Sequence, residues 1–508
     1  MRRRSRLAVA AALGAVTNMA GGTRPGVPAA RGVVVSCPVA PNARVSRHYT
    51  LAVGETKVPV ESFHGVHCGR LSFSGRIEVT IGVREAVTAW SISPKRRNIR
   101  ARADGSRLRF ALSRPGHLAV RINDLGYLFV FADPPAEAPP RAGAAGVVDI
   151  SKAGVDATGR RKDTARIQAA IDALPARGVL LFPRGVYRTG ALVLKSDMTL
   201  YVAGGAVIQG TADPNDYPPH HRDGTKTSAR LILVDGAKNV AIRGRGVIDA
   251  NGTALRTRHG RRGRAVLLRN SRHVTVEGVT LRDPPSWNTH ILGCRHVTFR
   301  NVKLLNNPDV KNTDGFDPDA SSHVLIDGCF AYCGDDAVAV KSAGYDGIVR
   351  DVEDIVVRRS VLLTRKSALK VGTESLAAVM KDVTFEGNDV LLCDRGMALY
   401  CRDGATYANI RFVDNRFEAS YPDLKRRLID FSVTRREGKG RIRDVLIRDC
   451  RADRRWPGPS TLRGLDAEHT IATVRFEGFR VAGTPCRTAA EAHVLIGEHV
   501  TGVTFSRP

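Results

Sequence analysis

The sequence predicts an all-β protein in which a small β-sandwich precedes a parallel β-helix. Two observations carry that expectation. Aromatic residues are 6% of the 508-residue chain, while glycine (49 residues) and short β-branched runs are frequent. Such a composition favours many thin strands joined by turns over helical bundles. From about residue 179, an apolar-x-apolar triplet also recurs ahead of a Gly or Asn and a second such triplet. The triplets begin at Val240, Val274, Val297, Val324, Ile355, Val383, Ile410, Val445, Val474 and Val503, in steps of 34, 23, 27, 31, 28, 27, 35, 29 and 29 residues. That period, with three to five residues per strand, is too short for a crossover helix. It fits one coil of a stacked solenoid, whereas a propeller blade needs about 40 residues and four strands.

The elements follow in order. Arg2, Arg3, Arg4 and Arg6 precede ten mostly apolar residues, Leu7 to Val16. This is the charge-then-apolar pattern of a secretory signal, so residues 1–30 read as a signal-like segment of an exported, extracytoplasmic protein. Residues 33–135 alternate apolar and polar positions, as in Leu108–Leu112 and His117–Ile122, with turn residues between. They read as the β-sandwich. Residues 136–147 form the end of a proline-rich linker that begins at Asp133. Residues 148–508 are the β-helix. Its first segment contains a helix at 164–174 with Asp163 at the N-cap position, placed to cover the open end of the solenoid. Asn301, Asn388 and Asn415 sit at coil turns, where asparagine tolerates left-handed backbone and can stack in ladders.

Composition excludes several classes. Charged residues at 25% and hydrophobic residues at 43% are ordinary globular values, and no apolar run reaches the ~20 residues of a membrane helix. Lys+Arg (78) exceed Asp+Glu (50) by 28. The arginines are dispersed and lack interleaved aromatics, so no nucleic-acid partner is expected. The one tight cluster, Arg256 to Arg264, reads as a glycine-containing solvated loop, with contact to an anionic polymer as the alternative. Nine cysteines show no zinc spacing. Cys37 and Cys68 are the expected pair in an exported protein, and most of the others read as buried small hydrophobes.

The chemistry concentrates in Asn312-Thr-Asp314-Gly-Phe-Asp317-Pro-Asp319 and, one short coil later, Gly334-Asp335-Asp336. Asp314 and Asp335 are 21 residues apart, close to one coil, so stacking at ~4.8 Å would crowd three carboxylates. The alternation in 336–340 points Val338 and Val340 inward. Asp336 would then enter the core unless the chain bends there, and we expect a bend that turns both acids toward solvent. Two readings of the cluster remain: a solvated or calcium-binding acidic surface, and an acid beside a base, because crowded like charges push one pKa up.

The run from Asn312 to Asp314 followed by Gly334-Asp335-Asp336-Ala-Val-Ala-Val-Lys341-Ser resembles, in order and spacing, the central signature of glycoside hydrolase family 28, the polygalacturonase family. Pro285-Ser-Trp287 with His290 and the stretch from Val148 to Ile208 are similar to that family too, and the resemblance spans roughly residues 147–450. It implies a right-handed parallel β-helix of the pectin-lyase type and inverting hydrolysis without metal or cofactor. It makes Asp335 the general acid, Asp314 and Asp336 the bases that position water, and Lys341 a cleft lysine. Two family elements are altered. A histidine is replaced in Lys366-Ser-Ala368, and the Arg-Ile-Lys that grips a uronate aligns with Ala398-Leu-Tyr400. Lys366, Lys370 and Arg395 would have to restore that charge from new positions. The sandwich-plus-solenoid arrangement also resembles the dextranase family of the same clan.

Substrate contacts are accordingly expected from Asn312, Lys341, Lys370, Tyr400, Trp287 and His290, with Glu374 as a weaker candidate. Trp287 and Tyr400 read equally as sugar platforms or packed residues, and a structural role is the commoner one for a histidine such as His290. The expected partner is a polysaccharide or oligosaccharide bound by a monomer. A lyase or epimerase on the same solenoid, and a non-catalytic glycan-binding solenoid, are the alternatives.

Overall fold

Alternation sorts each triplet's first and third residues to the inside, and stacking of those residues builds the solenoid. A computed structural model describes residues 33–135, 139–217, 229–424 and 426–507. The signal-like segment and linker residues 136–138 lie outside the described residues. Among the described residues, three long sheets run the length of the β-helix, two of 13 strands and one of 11. In the first, Val240 pairs with Val274 and the register continues without slippage through Val297, Val324, Ile355, Val383, Ile410, Val445 and Val474 to Val503. The residue before each of the first nine triplets (Asn239, His273, His296, His323, Asp354, Asp382, Asn409, Asp444 and Thr473) has φ between 52° and 58°. Short polar side chains tolerate that left-handed turn best, so a second periodic signal lay beside the apolar one.

The turn asparagines divide their roles. Asn301 takes the left-handed conformation, with φ 52°. Asn388 and Asn415 instead form a buried ladder: Asn388 Nδ2 donates to Asn415 Oδ1 at 2.9 Å, and Ser360 N donates to Asn388 Oδ1 at 3.0 Å. These bonds satisfy backbone groups that the turns would otherwise leave unpaired.

Helix α1, Thr164–Ala173, covers the open end. Its Ile167 and Ile171 enter the solenoid core. The Gln168 amide pairs with the exposed edge of the third sheet, accepting from Val193 N at 2.9 Å and donating to Val193 O at 3.0 Å. Asp163 occupies the N-cap position, but its carboxylate makes no capping bond. It accepts instead from Asp156 N, Arg161 Nε and Arg166 Nη1.

The N-terminal region forms one mixed six-stranded sheet and one five-stranded antiparallel sheet, sharing a core that includes Leu51, Val79, Leu118 and Val130. The mixed sheet docks on the second sheet of the solenoid. Phe129 and Phe131 lie 4.8 and 5.0 Å from Phe330, ring centre to ring centre. Asp133 accepts from Lys303 Nζ at 2.7 Å and Arg245 Nη1 at 3.0 Å. Lys303 is only 1% exposed, so the charge on each side depends on its partner.

Two expectations are corrected. Cys37 and Cys68 are not paired. Cys37 lies opposite Arg70, whose carbonyl accepts from Cys37 N, while the Cys68 thiol donates to Glu61 Oε1 at 3.4 Å. The basic run at 256–264 is not a loop: Gly252–His259 is a helix, α2, stopped by Gly260 at φ 63°, and Arg264 already lies in the strand Gly263–Arg269. The glycines end one element and start another, which their presence alone does not reveal.

Candidate active site

The third sheet carries the acids. Asp314 lies two residues before the strand Phe316–Asp319, and the next coil brings Phe330–Cys333, a bend, and then Val338–Ser342. The bend falls at Gly334–Ala337, where it was expected. Gly334 permits it: a Cβ there would meet Thr313 Oγ1 at 2.6 Å and Pro308 O at 2.8 Å. The Thr364 hydroxyl donates to the Asp335 carbonyl, and Asp336 N donates to Asp335 Oδ1 at 3.0 Å. The bend turns Asp335 partly outward but does not bring both acids to solvent as expected. Asp336 stays buried, with Ser367 N donating to its Oδ1 at 2.8 Å and Lys370 Nζ donating to its Oδ2 at 2.6 Å. Oxygens of Asp314, Asp335 and Asp336 lie within 4.8 Å of one another.

This arrangement separates the three acids electrically. Burial, reinforced by the Asp314 and Asp336 carboxylates, pushes Asp335 up to about 7. Burial would raise Asp336 as well, but Lys370 and then Arg395 hold it well below the usual carboxylate range. Asp314 is pushed up, chiefly by burial, with Lys341 opposing. Lys341 Nζ is shared, 3.2 Å from Asp314 Oδ2 and 2.7 Å from Asp317 Oδ1. Burial pushes both acids up against that shared ammonium, Asp317, which is wholly buried, further than Asp314. The site thus holds a protonated acid at Asp335 beside an ionised base at Asp336. Two of the three carboxylates, Asp314 and Asp336, are each paired with an ammonium.

The other expected contacts are placed as follows. Trp287 is 5% exposed, with Lys341 Nζ 3.5 Å and Arg264 Cζ 4.2 Å from its ring centre. It packs edge-on against His290 and Tyr345. His290 is buried, its Nδ1 accepts from Arg264 Nε at 3.3 Å and its Nε2 meets Asp319 Oδ2 at 2.9 Å. That pairing fixes a neutral ring with its proton on Nε2, and burial pushes its pKa down to about 4. Asn312 is half-buried in the left-handed conformation, φ 61°, and its carbonyl accepts from Ser286 Oγ at 3.2 Å. Lys370 pairs in register with Ala398. Tyr400 projects from the same strand as Ala398 and donates its hydroxyl to Asp430 Oδ2 at 2.6 Å. Arg395 donates to Ser367 Oγ at 3.0 Å and faces Asp394 at 3.5 Å. Glu374, half-buried, is held below its ordinary range because Lys341 and Lys370 outweigh its burial.

Sequence reasoning missed Arg264 and Asp430. The basic run was a signal for the first, but its strand assignment was not legible. Asp430 lies in a coil without any motif and reaches Tyr400 only by register, since Ala398 pairs with Asp430.

A carboxylic acid beside a carboxylate on the outer face of a parallel β-helix fits the two-carboxylate pattern of glycoside hydrolysis. The chain matches the family model "Glycosyl hydrolases family 28" over residues 179–407. It is 30% identical over 271 residues to a probable polygalacturonase of Vitis vinifera, covering 48% of this chain and 54% of the relative. It is 26% identical over 243 residues to a polygalacturonase of Ralstonia nicotianae, covering 36% of this chain and 46% of that one. The chain thus spans about half the length of these curated relatives. In fold it is similar to Dex49A of Penicillium minioluteum, with TM-score 0.62 and 12% identity over 92% of this chain and 96% of that one. It is also similar to a family 28 exopolygalacturonase of Yersinia enterocolitica, with TM-score 0.57 and 18% identity over 85% and 94% of the two chains.

Proposed function

We propose that this protein is an exported, inverting hydrolase of the O-glycosidic bonds of a polysaccharide whose sugar on the leaving side of the bond is neutral. The observation that supports the chemistry most is the split between Asp335, raised to about 7, and Asp336, held ionised 4.8 Å away or less. Asp335 protonates the glycosidic oxygen. Asp336, with Asp314 beside it, orients the water and takes its proton. Lys370 keeps Asp336 charged between turnovers. Export rests on the charged and apolar pattern of residues 2–16.

The substrate reading rests on the C-terminal side of the cleft. Ala398 and Tyr400 stand where the family resemblance implies cations, and the next coil adds a carboxylate, Asp430. Lys370 and Arg395 are committed to Asp336, Ser367 and Asp394. A uronate there would lose its hydration and meet an acid. Digestion of polygalacturonate, its methyl ester and neutral glucans and galactans, with products sized, tests the reading. New reducing ends without an ultraviolet-absorbing unsaturated product are expected. Unsaturated products would make the protein a lyase, and binding without cleavage would make it a glycan-binding solenoid.

A further inference from the structure

The sandwich presents a short turn, Lys95–Arg97, to the solenoid, and its three cations part ways. Lys95 faces Asp453 at 3.2 Å, while Arg96 faces Asp389 at 2.5 Å and Asp414 at 3.0 Å. Arg97, half-buried, has no carboxylate partner among the described residues. Its Nη2 donates to the carbonyl of Arg114, and its Nη1 lies against Gly116, where a Cβ would collide with it. Burial, and then the Arg114 charge, push Arg97 down to about 10. The fold thus fixes one guanidinium in place and sets a second beside it.

These two arginines border a cavity of about 300 Å³ whose wall also holds Arg76 and Arg100, and among the described residues no acid lines it. Arg97 and Arg114 also border a larger hollow of about 1010 Å³ between the sandwich and the solenoid. Its floor is the corner between the first and second sheets. There Arg243, Glu277, Arg300 and Asp327 follow in register, one per coil, at steps of ~4.8 Å. Arg243 faces Glu277 at 3.8 Å, and Asp327 faces Arg358 at 3.2 Å and Arg359 at 2.6 Å. Arg300, exposed, is left without an ion pair among the described residues. The acid trio lies elsewhere, beside the strands of the third sheet.

We propose that the pocket at Arg97, Arg114, Arg76 and Arg100 is a non-catalytic anchor for an acidic polysaccharide, whose strand runs on toward Arg300. Guanidinium groups around one cavity suit carboxylates, each of which can accept two parallel bonds. Among the described residues no aromatic side chain lines the smaller cavity, so a nucleobase would have nothing to stack on. A strand fits better than a single small acid, because the unpaired cations extend from one cavity into the next. Anchored there, the protein stays on an acidic matrix while its cleft, on a different sheet, works on other segments. The polysaccharide class of the partner rests on the hydrolase reading, and its acidity rests on the pocket alone.

The test uses the full chain carrying Asp335→Asn to suppress cleavage, titrated calorimetrically with polygalacturonate, its methyl ester and single-stranded poly(dT) at ~0.15 M salt. Polygalacturonate should bind at least ~10-fold more tightly than its ester, and Arg97→Gln with Arg114→Gln should cost at least ~10-fold, the loss of charge-assisted bonds. Arg454→Gln with Arg455→Gln removes two exposed charges from the solenoid instead. That control should change affinity less than about two-fold, because exposed, distant charges are screened. Arg76→Gln with Arg100→Gln, both on exposed side chains, should weaken binding several-fold and serves if the first pair does not fold. Equal losses in the pocket and control variants would mean a diffuse field and overturn the proposal. So would equal affinity for acid and ester, or tighter binding of poly(dT) than of the polyuronate. Cleavage is scored separately with Asp335 restored. Pocket-dependent binding with no glycan hydrolysed would sink the hydrolase reading and leave the anchor standing, and hydrolysis without pocket-dependent binding would do the reverse.

Discussion

Lys370 Nζ reaches back one coil to lie 2.6 Å from Asp336 Oδ2. This contact decides which of three crowded carboxylates is charged. Asp336 is more deeply buried than Asp335 and by burial alone would be the harder to ionise. The ammonium reverses that order, leaving Asp335 as the proton carrier.

On the proposed mechanism Asp335→Asn removes the proton donor and should lower turnover by ~10²–10⁴-fold, the usual range for general acid catalysis. In the wild type, activity should fall as pH rises through about 7, where Asp335 loses its proton. Stability follows the same group. Because its folded pKa is raised, its contribution is full below the unfolded value near 4 and is lost as pH rises through about 7. Melting curves of the Asn variant and wild type should agree at the acid end and separate between pH 4 and 7 in the variant's favour. A variant with near-wild-type rates would transfer the role to another group.

Lys370→Met strands Asp336 as a buried carboxylate without its ammonium. The acidic limb of the pH–rate profile should move to higher pH, because Asp336 then protonates more readily. At neutral pH the variant should be ~3–5 kcal/mol less stable, the usual penalty for breaking a buried pair. The depressed Asp336 pKa of the wild type contributes stability above the unfolded value near 4 that is lost as pH falls through the folded value. The gap between the two proteins should therefore shrink toward low pH. An unmoved acidic limb would show that Asp336 is not the base.

Stereochemistry tests the pairing of Asp314 with Asp336. Carboxylates of inverting enzymes are commonly ~6.5–9.5 Å apart and those of retaining enzymes ~5–5.5 Å, whereas oxygens here lie within 4.8 Å. Inversion is still expected, because two acids on adjacent coils can hold a water that neither places alone. Proton NMR of the first-formed anomer reads the result directly. Retention of configuration would make one of the acids a nucleophile.

Lys303→Met leaves Asp133 with Arg245 alone at the sandwich–solenoid interface. Calorimetry should show a loss of ~3–5 kcal/mol and earlier melting of the sandwich. A single unshifted transition would mean that the aromatic contacts of Phe129 and Phe131 hold the interface unaided.

Local patterning determined much of this protein. The triplets named the strands of the first sheet, and all ten stack in one unbroken register, because in a solenoid the pairing partner is the same position one coil later. The double acidic motif located Asp314, Asp335 and Asp336, and the inward parity of Val338 and Val340 placed the buried side of Asp336, which the bend at Gly334 does not undo. Tertiary structure alone decided what depends on contacts between coils and on burial. It set the charge order of the acids through Lys370, and the sharing of Lys341 between Asp314 and Asp317. It also placed Arg264, Trp287 and His290 in one cluster and put Asp430 opposite Tyr400. Each is a distance between side chains on different coils, and coil lengths that vary from 23 to 35 residues keep such distances out of any fixed spacing in the sequence. Cys37 and Cys68 show the same limit from the other side: nearness in the chain suggested a bond, and a strand register that sets Cys37 against Arg70 left both thiols free.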